Sequence, residues 1–403
     1  GELIDTTHTT MKGYARALGL TLEDISRDPG EVFYVFGGVR YAESAVVDEY
    51  RAFVPAMRAD LRAIGAPTAD AFTSDDERLD RMSLAEYFDT RRPGALIRKV
   101  LEAAYTIEYG VEPSAQSALA FLQFIHADRR SRFKPFGIFS DERYHVVEGN
   151  QSIPVRLAAR LNRAPTLGHR LVWVRKLASG RVELTFRSGS RTVTASHEAV
   201  VLALPAPVLR GVELDASLAL PGWKLRAINE LRYGANTKMM LSFQGRPWAA
   251  LGGNGASYSD RTNLQATWET APGSATASRA VLTNYSGGDL AARIDPRRAT
   301  AEANAFLTDL DAVFPGASAR VRRSAGGPVV HIENWLRNPL ALGGYTANHP
   351  GYFTTIAGNE AKPVGNLFFA GEHTDSFYDW QGFMEGGANS GIRAAGEVLA
   401  SLR

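Results

Sequence analysis

Between residues 43 and 126 apolar positions recur every three to four residues: Tyr50, Phe53, Met57, Leu61 and Ile64, then Leu96, Val100, Ala104 and Ile107 up to Gly110, then Leu119, Leu122 and Ile125. This spacing predicts a run of helices. Pro55 falls inside the first and should kink it, because its ring removes an N–H and crowds the preceding turn. Ser83 followed by Glu86 forms a capping box and predicts another helix start. Beyond residue 170 the period falls to two. Leu171-Val172-Trp173-Val174, then Val182, Leu184 and Phe186, with turns near Ser179-Gly180 and Ser188-Gly189, predict a three-stranded meander over 170–193. The unbroken apolar run from Ala199 to Leu204, stopped by Pro205, suits a strand buried on both faces of a parallel sheet. A second strand-rich region covers about 232–345, with Lys238 to Phe243 as its clearest strand.

The stretch from Val364 to Arg403 has a different grammar. A strand-like Asn366-Leu367-Phe368-Phe369-Ala370 enters the turn Gly371-Glu372-His373-Thr374, passes the glycine-rich Trp380 to Gly387, and ends in a helix. Ala388, Ile392, Ala395, Leu399 and Leu402 give that helix one apolar face, and Gly387, Gly391 and Ala394 permit close approach to a neighbour. Its first turn offers unpaired N–H groups and the positive end of the helix dipole to a partner that carries or acquires negative charge. From these residues alone, an ordinary terminal helix capping a sheet is an equal reading.

Phe368-Phe369-Ala370-Gly371-Glu372-His373-Thr374 followed by Gly382-Phe383-Met384-Glu385-Gly386-Gly387 closely resembles the C-terminal FAD-binding signature of the flavin amine oxidases. That family includes monoamine, polyamine and L-amino acid oxidases. The resemblance implies a mixed α/β (α+β) fold, with a glutathione-reductase-like FAD-binding domain interleaved with a substrate domain of sheet plus helices. The order of elements divides accordingly: residues 1–25, 141–210 and 351–403 for FAD, and residues 26–140 and 211–350 for substrate. The reaction implied is oxidation of an amine C–N bond to an imine and then a carbonyl, with oxygen reduced to hydrogen peroxide. Whether the family's L-amino acid oxidases or dehydrogenases are the better comparison stays open.

The same resemblance assigns site residues. Lys238, in Tyr233-Gly234-Ala235-Asn236-Thr237-Lys238, is similar to the family lysine that holds a water against flavin N5; the plain alternative is a solvated surface lysine. Leu342-Gly343-Gly344-Tyr345 resembles one wall of the family's aromatic cage and Phe383 falls where the other stands, so Tyr345 and Phe383 would flank a neutral amine nitrogen. Many members have tyrosine or tryptophan at the position of Phe383, which implies a less polar cage. Glu372 would accept hydrogen bonds from ribityl or ribose hydroxyls beside Gly371, Met384 would turn its backbone N–H to the flavin pyrimidine edge, and Leu171 would read the adenine through its backbone. Trp335 resembles a tryptophan beside the isoalloxazine ring, with a core tryptophan as the alternative. Asp5 falls near an acid or histidine that some polyamine oxidases carry over the flavin, and would bind a substrate ammonium.

Composition narrows the field further. The 403 residues suffice for two domains, and 45% hydrophobic with 22% charged residues is ordinary for a globular chain. A net charge of +2 gives no case for nucleic acid, and no apolar run approaches the ~20 residues of a membrane span or forms a membrane anchor. There is no cysteine, so disulfides and thiolate chemistry are excluded. Gly344 stands where mitochondrial members keep the cysteine that bonds FAD, so a noncovalent FAD is expected. The eight histidines form no HExxH or convincing ligand pair, no metal is expected, and no GxSxG elbow or P-loop appears. His373 is read as a structural residue of its turn. The partners implied are a small-molecule amine or amino acid and oxygen, with a homodimer left open; the compartment is undetermined, cytoplasmic or exported.

FAD-binding domains normally open with a strand, GxGxxG and a helix that holds the pyrophosphate. Gly252-Gly253-Asn254-Gly255 lacks that context, and Gly1-Glu2-Leu3-Ile4-Asp5 reads like the middle of a domain. The expectation is a chain without its first βαβ unit. The alternative of another class follows: a truncated chain that is inactive and binds no FAD alone.

Overall fold

Helices span Glu43–Leu61, Ser74–Arg81, Leu84–Arg91, Ala95–Tyr109 and Ala118–Ile125 in the computed structural model, which describes residues 2–27, 29–129, 132–136, 140–276 and 278–403. Their apolar faces meet in one buried cluster that includes Phe53, Met57, Tyr87, Ile97, Tyr105 and Phe121. The first runs unbroken through Pro55, which lies exposed, where water can take the bond its ring forfeits. Ser83 and Glu86 close the expected capping box, and Thr73 with Asp76 closes a second.

Asn236–Phe243 is the second strand of a seven-stranded sheet. It pairs antiparallel with Ala280–Gly287 on one side and Val330–Asn334 on the other. The ladder continues through Leu264–Glu269, Gly253–Arg261 and Glu31–Phe36 to Val39–Tyr41, with Gly253–Arg261 and Glu31–Phe36 running parallel. Strand alternation sorts the two faces. Met239, Leu241 and Phe243 join Phe33 and Leu282 beneath the helix Ala299–Val313. Lys238 therefore belongs to the opposite face, with Trp268 and Tyr285, which packs toward the end of the helix Ala95–Tyr109.

The meander forms over Arg170–Lys176, Val182–Ser188 and Arg191–His197, and Glu213–Leu214 adds a fourth strand parallel to the first. Val200–Leu202 pairs in parallel with Leu367–Phe369. The expected burial of this strand on both faces is corrected: Val200 and Leu202 are buried, but Val201 is 40% exposed. Its cover, from Leu209, Ile228 and their neighbours, lies on one face, so the alternate residue points outward.

The terminal helix Met384–Ser401 meets this strand pair through its small side. Gly386, Ser390 and Ala394 are buried, and Arg393 donates to the Phe369 carbonyl at 2.9 Å. Ile392, Leu399 and Leu402 of its apolar face are exposed. Residues without bulk make the close approach, which leaves the bulky stripe outside. Among the described residues, no helix is long and apolar enough to cross a membrane.

Candidate active site

Lys238 and Tyr285 are direct cross-strand partners. That register carries the ammonium over two aromatic faces, 5.5 Å from the Tyr285 ring centre and 5.1 Å from that of Trp268. Lys238 Nζ donates to Glu2 Oε2 at 2.7 Å, and Trp268 Nε1 donates to Glu2 Oε1 at 3.3 Å. The lysine is held in place, not solvated.

Opposite this strand, the end of the helix Ala95–Tyr109 is fastened to the sheet. Asn236 Nδ2 donates to the Ile107 carbonyl at 2.8 Å, and the Ala235 N–H donates to that of Gly110 at 2.7 Å. A Cβ on Gly234 would overlap the Tyr109 carbonyl, so this approach needs glycine. The fastening brings Glu108 and Tyr109 to the wall of a cavity. Gly234 also exchanges backbone hydrogen bonds with the loop before Tyr345, accepting from Gly344 N–H at 2.8 Å and donating to the Tyr345 carbonyl at 3.0 Å. The Tyr345 hydroxyl then lies 3.1 Å from that of Tyr285. Phe383 stands edge-on to Trp380 and His8, with centroids at 5.8 and 5.4 Å.

Phe383 is also the N-terminal boundary of the last helix and supplies no side-chain cap. Glu385, in the first turn, faces away and is committed elsewhere: its two oxygens accept the Thr10 and Met11 N–H groups at 2.7 and 2.8 Å. The helix start at Met384 therefore keeps first-turn N–H groups for a ligand. Beside it, Glu372 accepts from the Gly382 N–H at 2.8 Å and the Thr346 hydroxyl at 3.0 Å. Burial raises its pKa, and these hydrogen bonds oppose the rise. His373, the next residue, contacts the Tyr233 hydroxyl through Nδ1 at 3.1 Å, and burial pushes its pKa down to about 4.

Asp5 is 2% exposed, and its Oδ1 accepts from the Glu142 N–H at 2.7 Å and the Ser140 hydroxyl at 3.1 Å. Burial, the largest cause, raises its pKa to about 6. His8 lies 3.3 Å away, but burial lowers its pKa to about 4, so it faces Asp5 as a neutral ring. Burial also pushes Glu108 up to about 8, with repulsion from Glu142 and Asp5 adding to the rise, and desolvation pushes Glu142 up to about 7, with repulsion from Asp5 and Glu2 opposed by Lys238 and Lys134. Glu142 borders the cavity and is itself exposed, so solvent screens its share of that repulsion.

One cavity of about 360 Å³ is lined by Asp5, Lys238, Tyr345, Glu372, Phe383 and Met384. Three further predicted positions do not line it. Gly371 sits directly behind Glu372 and donates to Ser390 Oγ at 3.0 Å. Leu171 lies partly buried on the meander, and Trp335 is half-buried in a short helical turn. Glu2, Glu108, Glu142, Trp268 and Tyr285 line the cavity although the sequence reading did not single them out. Among the described residues, no group of three acids or histidines is placed to hold a metal. The donor set fits the ring end of a flavin: an uncapped helix start, an inward carboxylate, a held ammonium and aromatic walls around a volume typical of small-molecule sites.

Comparison with known proteins agrees in kind. The family model described as flavin containing amine oxidoreductase matches residues 2–399. Polyamine oxidase 3 of Oryza sativa subsp. japonica is 30% identical over 231 residues, 57% of this chain and 44% of that protein. The L-amino-acid oxidase of Pseudechis australis is 21% identical over 98% of this chain and 76% of its own length. The chain thus aligns with less than half of the rice relative. Among solved structures, cyclohexylamine oxidase from Brevibacterium oxydans IH-35A superposes with a TM-score of 0.81 at 20% identity, covering 100% of this chain and 87% of that one. A putrescine-bound putrescine oxidase gives 0.80 at 18%, covering 99% and 87%. These likenesses establish the fold.

Proposed function

The chain belongs to the flavin-containing amine oxidoreductases, and from that premise we propose that it oxidises the C–N bond of an amine at the cavity of Lys238, Tyr345 and Phe383, with noncovalently bound FAD. When bound, the flavin supplies the two-electron acceptor that takes a hydride equivalent from the amine α-carbon. The substrate nitrogen loses a proton, the resulting imine adds water to give a carbonyl and ammonia or an amine, and oxygen takes the two electrons and two protons as hydrogen peroxide. The observation that carries this reading is the convergence of a held lysine, two aromatic walls and an uncapped helix start on one cavity.

Each residue has a task in it. Tyr345 and Phe383 align the amine between aromatic faces and keep the slot apolar. Lys238 positions a water and stabilises negative charge developing on oxygen. Asp5 receives the ammonium, and its raised pKa suits it to take the proton that must leave. Glu372 and the Met384 backbone N–H would hold the flavin's hydroxyl-bearing chain and pyrimidine edge, Trp335 would support the ring, and Leu171 the adenine. A side chain at Gly344 would overlap Asn236, which supports a noncovalent cofactor. An amino acid substrate needs an arginine or a tyrosine hydroxyl for its carboxylate; among the described lining residues there is no arginine, Lys238 is already neutralised by Glu2, and Tyr109, Tyr285 and Tyr345 are the hydroxyls that remain for that second reading.

The test has two steps. Purified protein is examined for flavin absorbance near ~450 nm, then assayed for peroxide with monoamines, polyamines and L-amino acids. Peroxide with an amine supports the proposal. Bound flavin with no peroxide from any substrate points to a dehydrogenase, and absence of flavin after reconstitution points to a chain inert by itself.

A further inference from the structure

Two buried amides stand in the cavity wall, Gln381 at 8% and Asn348 at 4% exposure, and the hydrogen bonds around them fix which way each one points. Gln381 Nε2 lies 3.2 Å from the His373 carbonyl, which can only accept, so that end of the amide is the nitrogen. Its Oε1 then accepts from Asn348 Nδ2 at 2.9 Å. Asn348 therefore has its nitrogen committed to Gln381 and Oδ1 left over. That oxygen accepts no hydrogen bond among the described residues and is not enclosed, so the surface it keeps opens on the cavity.

The orientation is anchored behind the wall. Gln381 Nε2 also donates to the Tyr352 hydroxyl at 2.7 Å, and that hydroxyl donates in turn to Glu360 Oε1. Glu360 is 7% exposed and does not line the cavity; burial raises its pKa to about 6, with the Tyr352 hydrogen bond opposing. Above that pH the carboxylate has no proton to give. Tyr352 must donate to it, and a lone pair of the hydroxyl is left to receive Gln381. The row Glu360, Tyr352, Gln381, Asn348 therefore has one direction, and it ends in an acceptor at the cavity. Reversing it would set Gln381 Oε1 against the His373 carbonyl, two acceptors face to face, so the row resists inversion.

A second tie brings a like group alongside. Thr346 and Asn348 flank Ala347; Thr346 is joined through the Glu372 carboxylate to the Gly382 N–H, and Asn348 to the neighbouring Gln381. The two ties set two acceptors, the Glu372 carboxylate and Asn348 Oδ1, on one cavity. Successive acceptors suit a ligand with successive hydroxyl donors. We propose, resting on the flavin reading of this cavity, that Asn348 is a cofactor-binding residue whose Oδ1 accepts from a hydroxyl of the flavin's chain, and that Glu360 is the positioning residue that fixes it through Tyr352 and Gln381. Glu360 touches no ligand in this arrangement. It acts on affinity by keeping the acceptor turned to the cavity before FAD arrives.

The experiment titrates FAD into flavin-free protein at about pH 8, above the Glu360 pKa, and follows the quenching of flavin fluorescence. Asn348→Leu should raise the FAD Kd by about 10-fold, and Tyr352→Phe, which removes one oxygen and keeps the ring, by about 3-fold. In the double variant the second change should add nothing to the first, because Tyr352 acts through Asn348. Glu360→Gln keeps an acceptor for Tyr352 and should bind FAD as wild type does, whereas Glu360→Leu should match Tyr352→Phe. An unchanged Kd in folded Asn348→Leu, additive losses in the double variant, or equal affinities in the two Glu360 variants overturns the proposal. So does weaker binding of an amine to the FAD-loaded Asn348→Leu variant, titrated without oxygen, with FAD affinity intact, since the acceptor would then belong to the substrate. Unfolding transitions establish that each variant folds; if Glu360→Leu does not, Tyr352→Phe and the double variant decide. Weakened FAD binding in Asn348→Leu, without peroxide from wild type on any substrate, would leave this proposal standing and defeat the activity. Peroxide from wild type, with FAD bound normally by Asn348→Leu, would do the reverse, and wild type that binds no FAD overturns both.

Discussion

Lys238 Nζ and Glu2 Oε2 lie 2.7 Å apart across 236 residues of chain. Both residues line the cavity, and the Trp268 indole braces the same carboxylate. An ammonium fixed by a carboxylate and two rings is preorganised, and such groups act most strongly on charge that develops during reaction.

Lys238→Met should therefore separate the two half-reactions. Reoxidation of reduced enzyme by oxygen should slow by about 100-fold, while anaerobic flavin reduction by amine changes much less. Stopped-flow absorbance measures each step alone. Equal slowing of both would assign the lysine to general packing.

The 3.1 Å contact between the Tyr345 and Tyr285 hydroxyls allows a graded test. Tyr345→Phe keeps the aromatic wall and loses one hydrogen bond, so kcat/KM should fall by about 3-fold. Tyr345→Ala removes the wall and should lower it by at least ~10-fold. Steady-state kinetics on one amine distinguishes the two. Equal losses would mean that the hydroxyl, not the ring, is what matters.

How far these residues were legible depends on the range of the forces that place them. Helical faces such as Tyr50, Phe53 and Met57 carry their own period, and the Ser83 capping box is local, so both could be read. Lys238 alone reads as a solvated surface lysine, and could be found because the stretch Tyr233 to Lys238 resembles a family motif. Its partner Glu2 could not, since nothing in either segment encodes that meeting. Glu108 left a signal: it follows Leu101 and Ala104 at helical spacing on a largely apolar helix, where a charge is out of place. The strand Glu31–Phe36 and the helix Ala299–Val313 were missed because flanking patterns dominated their regions. Val201 shows the reverse limit, an apolar run that looks equally buried on both faces yet has cover on one.

Gly344 offers a test of why no cofactor-bonding side chain stands there. Its N–H is fixed to the Gly234 carbonyl, and a Cβ would overlap the Asn236 amide that fastens the helix end at Ile107. Gly344→Ala should destabilise by about 1–3 kcal/mol, through overpacking and a disturbed Asn236. Urea unfolding reads the loss. No change would show that this loop yields easily, and a side chain there would then be no obstacle to a covalent link.

Lys224 gives a pH signature independent of any cofactor. It is 1% exposed, its Nζ donates to the Asn359 and Glu360 carbonyls at 2.6 and 2.8 Å, and it lies 4.0 Å from the Phe369 ring centre. Burial pushes its pKa down to about 7 from an ordinary 10.5, with Glu360 opposing. Between those values the unfolded chain holds a proton that the folded chain has released, so stability rises with pH across that window and levels off beyond either end. Glu108, whose pKa is raised, contributes the opposite slope, but only up to about pH 8. Lys224→Met should therefore flatten the rise in unfolding free energy between about pH 8 and 9.5, relative to wild type. The variant also leaves two carbonyls without a donor, which costs about 1–3 kcal/mol each at every pH. The offset reports those lost hydrogen bonds and the slope reports the titration. An unchanged slope, whatever the offset, would show that the buried lysine keeps its proton through the window.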